Sequence, residues 1–196
     1  MIGKVLRIAA AAVLIIVADV VFEVSVPAVN EISISTEKME KGKGITLLQI
    51  SDFHGNPSKK LVKRIVKAAE KAGPDAVLIT GDLVDSKTKD FGNVYTLIKG
   101  LHSVCPSIFF VSGNHEWSND HRKDFLKKLA GLDVVLLNNK GTAFVTIEAE
   151  INLCGVDDPY TYRDNIAKAM RGIDTRKYTV LLAHSPGIRD RLGQFS

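Results

Sequence analysis

The residue types best able to do chemistry in this chain fall into four short clusters. They are Asp52-Phe53-His54, Gly81-Asp82-Leu83-Val84-Asp85, Gly113-Asn114-His115-Glu116 and His184-Ser185-Pro186. Between them they offer carboxylates, an amide oxygen and imidazoles, and no cysteine. Oxygen and nitrogen donors of this kind suit Mn, Fe, Zn or a similar divalent ion. Two such ions about 3.5–4 Å apart, joined by an anionic bridge, can clamp both the attacking and the leaving oxygen of an in-line displacement.

Each cluster follows a short apolar run that reads as a strand: Ile45–Ile50, Ala76–Thr80, Ile108–Ser112 and Tyr178–Ala183. Parallel strands bring their carboxyl ends to one edge of a sheet, where open α/β folds bind ligands. Asp52 and His54 are two apart on what reads as an extended segment, so they should point to the same side. Gly81 and Gly113 would let the backbone turn tightly just before Asp82 and Asn114.

The blocks D-x-H, G-D-x-x-D, G-N-H-E and a lone His, in that order over roughly residues 45–185, resemble the calcineurin-like metallophosphoesterase family. The stretch Ser51-Asp52-Phe53-His54-Gly55-Asn56, with an apolar N-terminus, is similar to a small membrane-anchored bacterial branch that includes enzymes like UDP-2,3-diacylglucosamine pyrophosphatase. The resemblance implies a four-layer α/β/β/α sandwich and two divalent metal ions. It makes Asp82 the bridge, Asp52 and His54 the remaining ligands of one ion, and Asn114 and His184 ligands of the other. His115 resembles the residue that stabilises or protonates the leaving oxygen. Asp85 resembles the carboxylate that orients it, and a carboxylate beside an imidazole favours the protonated form. Glu116 reads as a structural group. Ser86 stands where the protein phosphatases of the family have Arg, which argues against a phosphoprotein substrate.

The family pattern closes on G-H-x-H, and no histidine follows His184 in this chain. The sandwich is therefore expected to be C-terminally incomplete, with an unpaired sheet edge and each metal short of one imidazole. Two expectations follow. The first is a hydrolase for a phosphomonoester, phosphodiester or pyrophosphate, acting on a phosphorylated small molecule or a lipid-linked nucleotide such as UDP-diacylglucosamine through water activated by the metal pair. The alternative is an impaired or inactive fragment of such an enzyme, with little turnover of a generic bis-aryl phosphate in Mn²⁺.

The elements that must position these residues alternate. Glu31–Ser35 has the period of an edge strand. Lys60–Ala72, Phe91–Leu101 and Asp120–Ala130 have helical spacing, and their alternation with apolar runs predicts βαβ units and a parallel sheet. From Asp133 onward Val134–Leu137, Ala143–Ile147 and Ile151–Val156 read as strands joined by short turns, hence as hairpins of a second sheet, before a short helix at Asn165–Met170. Asp75, Asp90 and Asp120 read as turn or cap residues, His102 and His121 as surface or capping residues, and Asp157-Asp158-Pro159 as a turn.

A chain of 196 residues with 45% apolar content can bury the core of one domain. The net charge of +4 is mild, and the lysines of residues 59–71 read as a solvated helix face. Without a stripe of interleaved aromatic and basic residues, no specific nucleic-acid partner is expected and a nuclease is a secondary reading. Cys105 and Cys154 form no C-x-x-C pair and read as buried thiols. At the N-terminus Lys4 and Arg7 precede the apolar run Ile8–Ala18, continued past Asp19 by Val20–Phe22. Val5–Val26 is about long enough to span hydrocarbon. Residues 1–26 are thus expected to be a single-pass anchor or a signal segment, residues 27–44 an edge strand and connector, and residues 45–196 the metallophosphoesterase domain. Positive charge before the apolar run predicts an extracytoplasmic catalytic domain.

Overall fold

Four of the apolar runs form one parallel sheet. Strands β1 (Leu47–Ile50), β2 (Ala76–Ile79), β3 (Ile108–Phe110) and β4 (Val134–Leu136) lie side by side in chain order. Ile50 pairs with Ile79, Ile79 with Phe110, and Phe110 with Leu136, so the four carboxyl ends are level. Parallel neighbours require crossovers, and helices supply them: α1 (Lys59–Ala72), α2 (Gly92–Val104), α3 (Asn114–Ser118) and α4 (Arg122–Ala130). The Ser58 hydroxyl caps α1 by accepting from the Leu61 N–H. Gly73, at φ 55°, ends it in a left-handed turn.

A second sheet holds β5 (Lys140–Val145), β6 (Glu150–Gly155) and β7 (Thr179–Leu182), in that order. The β5–β6 pair is an antiparallel hairpin, and β7 runs parallel to β6. Helix α5 (Ile166–Ala169) lies between β6 and β7 in the chain. A 3₁₀ turn at Pro186–Ile188 and helix α6 (Arg189–Leu192) follow β7.

Side-chain alternation explains the stacking. Val77 and Ile79 on β2, with Ile108 and Phe110 on β3, face helices α1, α2 and α4 and pack on Val62, Leu97, Leu101 and Phe125. Ala76, Leu78 and Phe109 face the other way, onto Phe144, Ile151, Leu153 and Leu182 of the second sheet. There Phe109 meets Phe144 edge to face at 5.6 Å. Cys154 and Val156 cover the outer side of the second sheet, under Ile166, Ala169 and Ile188. The layers are therefore helix, sheet, sheet, helix. Both cysteines are buried free thiols.

The structure is a computed structural model and describes Val13 and residues 27–193. The expected membrane segment, residues 1–26, otherwise lies outside the described residues. Among those described, no helix is long and apolar enough to cross a membrane.

Two expectations about strands are corrected. Glu31–Ser35 forms no strand, and Ile32 and Ile34 are 82% and 71% exposed. Its alternating pattern finds neither a neighbouring strand nor an apolar face to cover. Val134–Leu136 belongs to the first sheet, parallel to β3, not to a hairpin of the second. The helical segment between Ile108–Phe110 and Val134–Leu136 makes a βαβ crossover, and that connection decides which sheet the strand joins.

Candidate metal centre

Past the carboxyl ends of β1 and β2 the chain keeps pairing as loops. Asp52 N–H donates to the Gly81 carbonyl, His54 N–H to the Asp82 carbonyl and Gly55 N–H to the Leu83 carbonyl. Phe53, Leu83 and Val84 are buried in the core under the helices. These apolar anchors turn their polar neighbours outward. Asp52, His54 and Asp82 all adopt left-handed backbone, at φ 58°, 50° and 52°. That conformation is costly for L-residues other than Asn and Asp, and such strain concentrates at functional sites. The extended geometry expected for Asp52 and His54 is thus corrected: two left-handed turns, not a strand, bring them together. His54 Nε2 lies 3.6 Å from Asp52 Oδ1.

Asp82 is the centre of the cluster and almost fully buried. His184 Nε2 is 3.2 Å from its Oδ2 and His115 Nε2 is 3.9 Å from the same oxygen. Its Oδ1 accepts from the His115 backbone N–H at 3.0 Å. Two groups of ligand atoms lie within 4.8 Å of one another, His54–Asp82–His115 and Asp52–Asp82–His184. Asp82 is the member common to both. This grouping sets Asp52 with His184 and His54 with His115, whereas the resemblance joins Asp52 to His54 and Asn114 to His184.

Electrostatics follow the contacts. Burial alone would raise the Asp82 carboxyl, but the bond from His184, the His115 N–H and both imidazoles outweigh it and hold it below its usual value. His184 is pushed up to about 9, chiefly by its bond to Asp82 and, against its burial, by the Thr80 carbonyl. His184 Nδ1 stands 2.9 Å from that carbonyl.

Close packing fixes the glycines. Gly81 sits at φ 91°, and a Cβ there would meet the Gly113 nitrogen at 2.6 Å. A Cβ on Gly113 would meet Asp82 Oδ1 at 2.2 Å and His184 Cγ at 2.9 Å. Gly113 needs room and not a left-handed backbone. Asn114 opens α3 between Gly113 and His115, and among the described residues its carboxamide is engaged in no hydrogen bond.

Glu116 is fully buried and binds the loops together. Its Oε2 accepts from the backbone N–H groups of Asp82 and Gly113, both at 2.8 Å, and its Oε1 from Val84 at 3.2 Å. Burial raises its pKa and these three bonds oppose the shift. The expectation of a structural role describes these contacts well.

Asp85 makes no hydrogen bond to His115, although the two interact through their charges. Asp85 Oδ1 accepts from the Lys87 N–H at 2.6 Å, a local turn, and that bond is the main reason its carboxyl is lowered. His115 Nδ1 is buried with no hydrogen-bond partner. Two local readings fit: Asp90 accepts from Gly92 N–H, and Asp158 from the N–H groups of Tyr160 and Thr161. The turn or cap reading of Asp75 is corrected, because its carboxylate accepts from the N–H of Thr46, 29 residues earlier, just before β1. Asp157 does more than build the turn. Its Oδ1 accepts from Trp117 Nε1 at 2.6 Å and from Asn138 Nδ2 at 3.0 Å. Trp117 went unnoticed in the sequence, where a single tryptophan beside G-N-H-E carries no spacing signal.

The donor set fits divalent cations. A carboxylate kept ionised lies between imidazole nitrogens, with a second carboxylate beside it. Nδ1 of His184 faces a backbone carbonyl, the arrangement that orients a ligating imidazole.

Comparison with known proteins agrees. The family model described as calcineurin-like phosphoesterase matches residues 45–194. The chain is 32% identical over 171 residues to an uncharacterized metallophosphoesterase of Aquifex aeolicus, covering 82% of this chain and 63% of that protein. It is 34% identical over 170 residues to one from Helicobacter pylori, covering 82% and 43%. It is 27% identical to a Danio rerio transmembrane protein with metallophosphoesterase domain, covering 82% and 39%. The chain therefore spans less than two thirds of the length of these relatives. In fold it is similar to the Phosphopantetheinyl Hydrolase (PptH) of Mycobacterium tuberculosis, with a TM-score of 0.50, 15% identity and coverage of 76% and 71%. A parallel sheet whose carboxyl edge gathers these carboxylates and imidazoles, and a family match across that whole region, place the chain in the calcineurin-like phosphoesterase family.

Proposed function

We propose that the chain is the phosphoester-hydrolysing unit of a metal-dependent hydrolase, with Asp82 bridging two divalent cations. The observation that supports this most is that Asp82 belongs to both candidate ligand groups. Asp52 and His54 are assigned to one ion, Asn114 and His184 to the other. Bound divalent ions would supply an activated water and positive charge at the phosphoryl oxygens. His115, whose Nε2 faces Asp82 at 3.9 Å, is assigned to the proton needed by the leaving oxygen. Asp85 contributes negative charge near His115 but no bond to it. Glu116 and the two glycines keep the loops in register.

The reaction class is hydrolysis of a phosphodiester or pyrophosphate. A lipid-linked nucleotide such as UDP-diacylglucosamine, membrane association through residues 1–26 and an extracytoplasmic domain are supported by the apolar N-terminal run and by the resemblance. That two vertebrate relatives are named transmembrane proteins with a metallophosphoesterase domain accords with this.

Hydrolysis of bis(p-nitrophenyl) phosphate with Mn²⁺, and Mn²⁺ binding by calorimetry, test the reading. Turnover that requires Mn²⁺ and disappears in Asp82→Asn supports it. Turnover indifferent to chelator or to Asp82→Asn overturns it. Mn²⁺ binding lost in Asp82→Asn, without turnover in the wild type, marks the second reading, a metal-binding unit lacking full activity. The observation behind that second reading is that each candidate ligand group, His54–Asp82–His115 and Asp52–Asp82–His184, brings three donors together.

A further inference from the structure

Asp157 links the carboxyl edge of the first sheet to the end of β6 in the second. Its Oδ1 accepts three bonds, from Trp117 Nε1 at 2.6 Å, Asn138 Nδ2 at 3.0 Å and the Asp158 N–H at 2.9 Å. Trp117 lies on α3, after β3, and Asn138 follows β4, so both belong to the first sheet. The Asp157 N–H donates in turn to Asn139 Oδ1 at 3.1 Å. Asn138 Nδ2 also donates to Ser112 Oγ at 2.8 Å, one residue before Gly113. Reversing that amide would set its oxygen against Asp157 Oδ1, so its orientation is determined. One carboxyl oxygen therefore gathers both ends of the segment 112–117, which carries Asn114 and His115.

The indole is held on both faces as well as at its N–H edge. The guanidinium carbons of Arg122 and Arg163 lie 3.5 Å and 3.7 Å from its ring centroid, and two guanidiniums cannot share one face. Each face thus carries a cation. Arg163 is anchored at the same junction, its N–H donating to the Asp158 carbonyl and its carbonyl accepting from Asn139 Nδ2. Burial lowers the pKa of Arg122, and the charge of Asp157 opposes that shift. An N–H donated toward negative charge enriches the ring that the guanidiniums cover, so the contacts reinforce one another.

The other side of α3 meets the metal centre. Side chains turn by about 100° per helical residue, so His115 and Trp117 leave α3 about 200° apart. His115 Nε2 stands 3.9 Å from Asp82 Oδ2, and a roll of α3 that moved Trp117 off Asp157 would swing that imidazole. Across the gap, Val156 N–H donates to the Leu182 carbonyl, so Asp157 and His184 leave neighbouring parallel strands at the same end. Asp52, His54 and Asp82 follow strands of one sheet, whereas setting Asn114 and His115 against His184 requires the two sheets to be fastened together. We infer that Asp157 is a positioning residue for the metal centre. Through Trp117 and Asn138 it fixes Asn114 and His115, from the first sheet, relative to His184, from the second. The inference rests on the metal-centre reading above and adds a residue that touches neither ion nor substrate.

Trp117 is the single tryptophan of the chain, so its indole N–H gives one signal in a ¹⁵N–¹H spectrum. In the full chain with chelator present that signal should lie downfield and exchange slowly with water. Asp157→Ala should move it upfield and speed its exchange. Mn²⁺ calorimetry then compares variants. Asp157→Ala should weaken Mn²⁺ binding by about tenfold or more, the scale on which the support of a metal ligand acts. Trp117→Phe, which keeps an aromatic ring between the guanidiniums and deletes the N–H, should do the same, and it decides alone should Asp157→Ala not fold. Asp157→Asn keeps the Oδ1 acceptor and should restore most of the affinity. Asn152→Ala is the structural control. Asn152 is buried and donates to the Asp174 carbonyl and to Thr179 Oγ1, toward the opposite end of β6 and β7. It should lower the urea midpoint and leave Mn²⁺ affinity unchanged. Wild-type affinity in Trp117→Phe, or equal losses of Mn²⁺ in Asp157→Ala and Asn152→Ala, overturns this inference alone. A wild type that binds no Mn²⁺, while its indole signal responds as stated, overturns the metal centre and this inference with it.

Discussion

The Nδ1 atom of His184 stands 2.9 Å from the carbonyl oxygen of Thr80, 104 residues earlier in the chain. Thr80 follows β2, and its own N–H donates to the Ile50 carbonyl of β1. One backbone contact thus ties the end of β7 in the second sheet to the two strands that deliver Asp52 and Asp82. When Nδ1 donates to Thr80, Nε2 is turned toward Asp82 and toward any cation shared with it.

This contact sets a pH dependence. His184 is raised from 6.5 to about 9 in the folded, metal-free chain. A raised folded pKa means the native state holds the proton more tightly than the unfolded one. The resulting stability is present in full below pH 6.5 and is lost as pH rises through about 9. The urea midpoint of the metal-free chain should therefore fall across that window, and His184→Gln should flatten the fall. Mn²⁺ affinity should move the opposite way, because the ion competes with the proton. It should rise by about tenfold per pH unit up to 9 if one proton is displaced. A wild-type stability profile identical to that of His184→Gln would contradict this account.

Glu116 gives a second prediction. It is the common acceptor for N–H groups of Asp82, Val84 and Gly113, and it is fully buried. Gln in its place keeps one acceptor oxygen and turns an NH₂ group toward buried donors. Glu116→Gln should cost about 1–3 kcal/mol, and Glu116→Ala, which leaves all three donors without a partner, should cost more. Mn²⁺ affinity should drop along with stability, since the same bonds hold the Asp82 loop. Chemical denaturation and calorimetry on the two variants check both parts. An unchanged Mn²⁺ affinity in Glu116→Gln would separate the carboxylate from the centre.

These residues show what was legible beforehand and what was not. The strands before Asp52, Asp82 and Asn114 are short apolar runs at a regular rhythm with helices, and local pattern is enough to place their ends on one edge. Thr80 with His184 is a different kind of fact. It involves a backbone oxygen and a ring nitrogen in different sheets, and no periodicity encodes it. The left-handed turns at Asp52 and His54 were misread as extended chain, because side-chain types alone do not reveal a positive φ. Val134–Leu136 was assigned to the wrong sheet, although the helix before it already implied a parallel crossover. Asp85 is linked to His115 by resemblance, and the local bond its Oδ1 accepts from the Lys87 N–H is not visible in the residue types. The Arg122–Trp117–Arg163 stack assembles from an exposed loop and two short helices, and nothing in the spacing of those residues announces it.

Gly113 offers the sharpest separation of the centre from the fold. Its backbone, at φ −97° and ψ −174°, suits any residue, so Gly113→Ala carries no conformational penalty of its own. The added methyl would instead overlap Asp82 Oδ1 at 2.2 Å and press on His184 Cγ at 2.9 Å. Either the carboxylate moves or the loop does, and both spoil the shared position of Asp82. Mn²⁺ affinity and any Mn²⁺-dependent turnover should fall by about 10–100-fold, the usual scale when the support of a metal ligand is disturbed. Gly187→Ala is the matched control. A Cβ there meets only the Ser185 hydroxyl, at 3.5 Å, an ordinary contact. It should leave Mn²⁺ affinity unchanged. Equal Mn²⁺ affinity in Gly113→Ala and Gly187→Ala would show that the ion does not sit against Asp82, and the assignment of that carboxylate as the bridge would have to be abandoned.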